Sequence, residues 1–126
     1  MENNYDVLDN FGKGLMQYSR DSTLNTVSKI LQGKIKSPNH KIVGEALQDL
    51  TPGERKAVED LAKLLFNEMF FEFEQFLNRH TEYKLMYSDG ESEVDLLDIS
   101  DGLFGEMFGD DGWIEKYSEF DGKDYF

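Results

Sequence analysis

The stretch TPGERKAVEDLAKLLFNEMFFEFEQFLNR, Thr51 to Arg79, decides the fold class. Thr51-Pro-Gly-Glu54 has the form of a capping box. The Thr51 hydroxyl can accept the Glu54 N–H, and the Glu54 carboxylate can reach back to the Thr51 N–H. Pro52 then falls at the first helical position, where its missing N–H costs nothing and its φ is already helical. From there to Arg79 only Gly53 is a weak helix former. Val58, Leu61, Leu65, Met69, Phe73 and Phe76 form one apolar stripe at helical spacing. Leu64, Phe66, Phe70, Phe71 and Leu77 widen it beyond a single face. A helix apolar on more than one side is either central in its bundle or buried in an oligomer. The spacing predicts a helix over 52–79.

Outward from it, Ser37-Pro38 reads as a second cap-plus-proline start, with Ile42, Val43, Ala46, Leu47 and Leu50 on one face of a short helix. Before that, Asp21 or Ser22 is expected to cap a helix carrying Leu24, Val27, Ile30 and Leu31, stopped by Gly33. A first helix over about 4–19 places Leu8, Phe11, Leu15 and Tyr18 together, although Gly12 and Gly14 weaken it. After His80, two strand-like runs between 83 and 97 flank Ser88-Asp89-Gly90, a hairpin signal. Asp110-Asp111 are expected to cap a last short helix carrying Trp113, Ile114, Tyr117 and Phe120, followed by a frayed tail over 121–126. The expected architecture is mainly α. It is a small helical bundle around the long central helix, with a short hairpin and a short C-terminal helix, in one domain of 126 residues. Within it, 1–80 is the helical part and 81–126 the acidic, Gly- and aromatic-rich part.

Charge divides the chain unevenly. Residues 1–60 carry eight basic and nine acidic side chains, whereas 61–126 carry five and seventeen, nearly the whole of the net −13. Such a surface repels nucleic acid and anionic lipid and attracts basic protein surfaces. There is no cysteine, so thiol nucleophiles, disulfides and Cys-ligated zinc are excluded. The N-terminus lacks the pattern of a signal peptide and no run is long enough to span a membrane, which reads as cytoplasmic.

Catalytic signatures are missing where they are sought. Gly12-Lys13-Gly14 is not a phosphate-binding loop, and no Gly-x-Ser-x-Gly elbow occurs. His40 has no evident partner, and His80 suits the C-terminal end of the long helix dipole. No Asp stands at EF-hand spacing, five residues before, ahead of Gly90, Gly102, Gly105, Gly109, Gly112 or Gly122. Glu68 and Glu72, four apart, and Asp95, Asp98 and Asp101 are the carboxylate sets at regular spacing. Glu72, between Phe71 and Phe73, is the one with apolar neighbours that would raise its pKa. No cofactor, resident metal or catalytic residue is expected.

The segment 100–117 alternates large apolar residues with glycines and carboxylates. Either Leu103, Phe104, Met107, Phe108 and Trp113 plug the core under a loop, or some are exposed anchors. In the second case Phe104, Met107, Phe108 and Trp113 would be the centre of an interface that Asp110, Asp111 and Glu115 ring and steer toward a basic protein. In type, being small, acidic, cysteine-free and without a catalytic constellation, the chain resembles bacterial immunity proteins that neutralise a basic toxin. That likeness carries no shared motif and assigns no residue a role. The expectation is therefore a non-enzymatic protein-binding module, with an inhibitor or immunity-type protein as one form of it, engaging a basic partner through the acidic C-terminal half. A nucleic-acid mimic, a divalent-metal enzyme using Glu68 and Glu72, and a structural subunit of an oligomer are the alternatives. A basic stretch, Lys29, Lys34, Lys36 and Lys41, could complement the acidic end of a second copy in a homodimer.

Overall fold

A computed structural model describes residues 3–35 and 37–121. Lys36 of the basic stretch and the expected tail beyond Asp121 lie outside the described residues. The helices are α1 (Asn4–Leu15), a π-helical turn (Met16–Arg20), α2 (Asp21–Leu31), α3 (Pro38–Ala46), α4 (Pro52–Arg79) and α5 (Trp113–Tyr117). Between α4 and α5 come strands β1 (Met86–Ser88) and β2 (Glu93–Asp95) and a 3-10 turn, Leu103–Met107. This is the expected helical bundle on a long helix, with a hairpin and a short last helix.

The long helix begins as its sequence dictates. Thr51 N–H donates to Glu54 Oε1 at 2.8 Å, and Glu54 N–H donates to Thr51 Oγ1 at 3.2 Å. The Thr51 backbone N–H, and after it the Thr51 hydroxyl, hold the Glu54 carboxyl below its ordinary pKa. Ser37 and Pro38 start α3, with Ser37 extended and Pro38 in the first turn. Gly33, at φ +68°, ends α2: Lys34 N–H reaches Lys29 O and Gly33 N–H reaches Ile30 O, a Schellman motif.

Two expected caps are corrected. No break separates α1 from α2, because Asp21 and the residues before it keep right-handed helical backbone through the π-helical turn. The extra residue in that turn carries Met16, Arg20 and Asp21 all into the interior. Asp21 therefore spends its carboxylate on the far end of the chain, accepting from Ser118 Oγ and, at 2.9 Å, from Glu119 N–H. At the other end Gly112, not Asp110 or Asp111, precedes α5. Asp111 is itself left-handed at φ +65°, so helical backbone cannot begin at it.

The hairpin pairs Met86 with Asp95, Tyr87 with Val94 and Ser88 with Glu93. Its loop has four residues rather than the tight Asp-Gly pair alone. Asp89 Oδ1 accepts the N–H groups of Glu91 and Ser92, both at 2.9 Å, and Gly90 takes φ +89°.

The buried core gathers Val7 and Met16 from the N-terminal helices with Leu96, Leu103, Phe104, Met107, Trp113 and Ile114. Most of it thus comes from the acidic C-terminal part. Gly12, which weakens α1 in isolation, is explained here: a Cβ would lie 2.2 Å from the Trp113 ring. Phe11 meets the same ring edge-on at 5.8 Å. Asp9 ties α1 to α5, accepting from Lys116 Nζ at 2.7 Å and Tyr117 OH at 2.5 Å.

Candidate protein-interaction site

The face that α4 turns inward is not its most apolar one. Lys63, Asn67, Phe70, Glu74 and Leu77 recur at helical spacing and point into the molecule, with Asn67 at 1% exposure and Glu74 at 8%. Each polar group among them is satisfied from far along the chain. The buried Arg20 guanidinium donates to Asn67 Oδ1 at 3.4 Å. The same guanidinium donates to Ser118 Oγ, Phe120 O and Asp121 O at 2.6–2.7 Å. Glu74 Oε1 accepts the Phe104 N–H at 2.6 Å. Lys63 Nζ pairs with Asp121, whose carboxyl it holds below the ordinary value. Around these bonds Phe70 packs on Phe104, ring centroids 4.8 Å apart.

The opposite face carries the stripe read from the sequence, and it lies in water. Leu61 is 52% exposed, Leu65 57% and Met69 69%, with Phe73 and Phe76 near two-fifths. Together they leave on the order of 500 Å² of apolar surface, the upper range for the largest patch on an ordinary monomer. At its first half this face borders a groove of about 230 Å³. Val27, Ile30 and Leu31 of α2, Val43 and Leu47 at α3, and Val58, Leu61, Ala62 and Leu65 of α4 line it. Arg55 holds the groove's floor together, its guanidinium donating to the carbonyls of Leu31, Gln48 and Leu50. At its second half the face is a ridge of Met69, Phe73 and Phe76. It ends where Phe76 stacks on Tyr83 at 5.5 Å and contacts His80 at 5.0 Å.

The segment 100–117 takes the core role. Phe104, Met107 and Trp113 are buried, so they are out of reach of a partner, and Phe108 is half-buried. Asp110, Asp111 and Glu115 are exposed. Asp110 and Asp111 share the rim of a depression of about 240 Å³ with Asp101, Glu106 and Phe108. The three apolar anchors and the three carboxylates are therefore neighbours in sequence but sit on opposite sides of the surface. Gly112 fixes this arrangement, since a Cβ there would strike the Phe108 and Met107 carbonyls at 2.4 and 2.7 Å.

No protein family, curated protein or solved structure matches this chain.

The remaining candidates are quickly placed. Among the described residues no three His, Asp or Glu side chains converge as a metal site. Glu68 and Glu72 stand exposed on α4, so Glu72 is not the carboxylate in apolar surroundings. Glu74 is, and its position on the stripe Asn67, Phe70, Glu74 and Leu77 was the available signal. His40 does have a partner, Ser37 Oγ at 2.7 Å from its Nδ1, exposed in the first turn of α3. A polar cleft of about 690 Å³ runs beside the π-helical turn, between Tyr18, Asn25 and Tyr117. Among the described residues no helix is long and apolar enough to cross a membrane.

Proposed function

We propose that this chain is a non-enzymatic protein-binding module whose binding face is the exposed stripe of α4 together with the groove beside it. One observation carries the assignment: Leu61, Leu65 and Met69 stand more than half exposed along a rigid 28-residue helix. Apolar surface of that extent on a regular element is the physical mark of an interface, because covering it releases water at about 25 cal/mol per Å². The occupant is a polypeptide face, apolar at its centre, that lies lengthwise on α4. A basic protein approaching the depression near Asp110 and Asp111 would meet carboxylates with no apolar centre. For that reason the acidic C-terminal surface does not anchor the occupant.

A photoreactive residue at Met69 tests this. In extracts of cells that make the protein it should give a polypeptide adduct of discrete mass. The same group at Tyr18, exposed but away from the face, should give none. No adduct at Met69 would refute the assignment.

A further inference from the structure

The face has a second property, which bears on what covers it. A groove flanks Val58, Leu61 and Leu65 in its first half, and a ridge of part-exposed side chains, Met69, Phe73 and Phe76, continues it in the second. The two features lie on the same side of α4, on either side of its middle. A second α4 laid antiparallel would set each ridge over the other copy's groove. Such a contact is isologous, the same patch used twice, which is the commonest way identical chains close on each other.

Charge at the margin fits the same placement. Glu54 in the first turn of α4 and Arg79 in the last share one edge of the face. A two-fold axis perpendicular to the helix brings that edge against itself with its direction reversed. Arg79 of each copy then falls beside Glu54 of the other, and the point midway between them coincides with the point midway between groove and ridge. The spacing of the apolar residues and that of the marginal charges thus select one register. From Val58 to Phe76 the contact runs about 27 Å at ~1.5 Å per residue. The stripe alone offers on the order of 500 Å² per copy, more than half of the about 800 Å² per partner of a standard interface, and α3 borders one side of it.

Resting on the protein-binding assignment, we infer that the occupant is a second copy of this chain, packed α4 against α4 in antiparallel two-fold symmetry about the Leu65–Glu68 turn. Two terms oppose the pairing. Each copy carries −13, and Glu68 and Glu72 of the two chains approach near the axis. The apolar centre holds the dimer against that repulsion, so its salt dependence has a definite sign. Raising salt from about 0.05 to about 0.5 M screens the repulsion and tightens the dimer. A basic partner on the same face would respond in the opposite sense.

Sedimentation equilibrium on the whole chain decides it. The wild type should be dimeric at micromolar concentration and tighter at higher salt. Leu65→Arg should weaken dimerisation by about 100-fold or more, as an anchor at the centre of an interface does. Circular dichroism should stay unchanged, because Leu65 stands in water in the single copy. Arg79→Glu should weaken it several-fold. Adding Glu54→Gln, which keeps the capping box, should restore most of the loss. A wild type that stays monomeric at both salts overturns the homodimer. A Met69 photoadduct with a different polypeptide would then leave the protein-binding assignment standing, and its absence would remove both. A dimer indifferent to Leu65→Arg also overturns the proposal, since its interface would lie elsewhere.

Discussion

On α4, the inward face carries Lys63, Asn67 and Glu74 beside Phe70 and Leu77, whereas the outward face carries Leu61, Leu65, Met69, Phe73 and Phe76 with Glu68 and Glu72 at its edge. The less apolar side is the buried one. It is buried because each of its polar groups has a dedicated partner: Arg20 for Asn67, Phe104 N–H for Glu74, Asp121 for Lys63. A buried polar group so satisfied costs little, and one left orphaned costs its full desolvation. The outward side has the stronger hydrophobic pattern and is only partly covered, by α2 and α3 beside Leu61 and Leu65 and by Phe104 and Tyr83 beside Phe73 and Phe76. What the difference teaches is that pattern strength reports how much a face gains from cover, not which body supplies the cover.

The comparison can be broken from the inward side with the largest effects. Leu77→Ala should cost about 2–4 kcal/mol in urea unfolding, the range for truncating a buried leucine. Glu74→Ala should cost about 1–3 kcal/mol, since it orphans the Phe104 N–H under the core. Glu74→Gln keeps an acceptor and should recover much of that loss. If both Glu74 variants are neutral, the inward polar face is not held by the bonds described.

A smaller effect separates the faces of α4 from the clamp between α1 and α5. The Asp9 carboxyl sits below its ordinary value of 3.8, chiefly through the Lys116 hydrogen bond and then that of Tyr117. A carboxyl whose folded pKa is depressed stabilises the fold above its unfolded value, and the contribution vanishes as pH falls through the folded value. Lys116 is raised by the same bond, so its share is full below 10.5 and lost only at the alkaline extreme. Asp9→Asn should therefore cost about 1 kcal/mol at neutral pH, the scale of a partly screened pair. The difference from wild type should close as pH drops below 3.8. A gap that persists unchanged into strong acid would contradict the assignment.

Outward substitutions should do least to the single chain. Met69→Lys should change unfolding free energy by less than about 0.5 kcal/mol at concentrations where copies are separate. At higher concentration the wild type should gain stability that the variant does not, because association stabilises by mass action.

Much of the backbone was legible locally. Thr51-Pro52-Gly53-Glu54 fixed where α4 starts, Gly33 where α2 stops, and Asp89-Gly90 where the hairpin turns, because each of those decisions is made by neighbours in sequence. The caps expected at Asp21 and at Asp110-Asp111 failed for a complementary reason. Asp21 bonds to Ser118 and Glu119, and Gly112 holds a place where any Cβ would strike the Phe108 carbonyl, so remote or crowded geometry outweighed local capping preference. The candidate site was legible only in part. Periodicity grouped Val58 through Phe76 on one side but could not say that this side faces water. The alternation over 100–117 likewise named Phe104, Met107 and Trp113 without distinguishing core plugs from anchors. Those assignments depend on contacts such as Glu74 with Phe104, thirty residues apart.

Because the chain lacks cysteine, a single introduced thiol reads one position cleanly. The most direct measurement compares the labelling rates of Met69→Cys and Leu77→Cys in the native protein at nanomolar and at high micromolar concentration. Cys at 69 should react fast when dilute and be protected when concentrated, while Cys at 77 should react slowly throughout. Slow, concentration-independent labelling at 69 would mean that the chain covers its own outward face, and the account of α4 as an interface would be wrong.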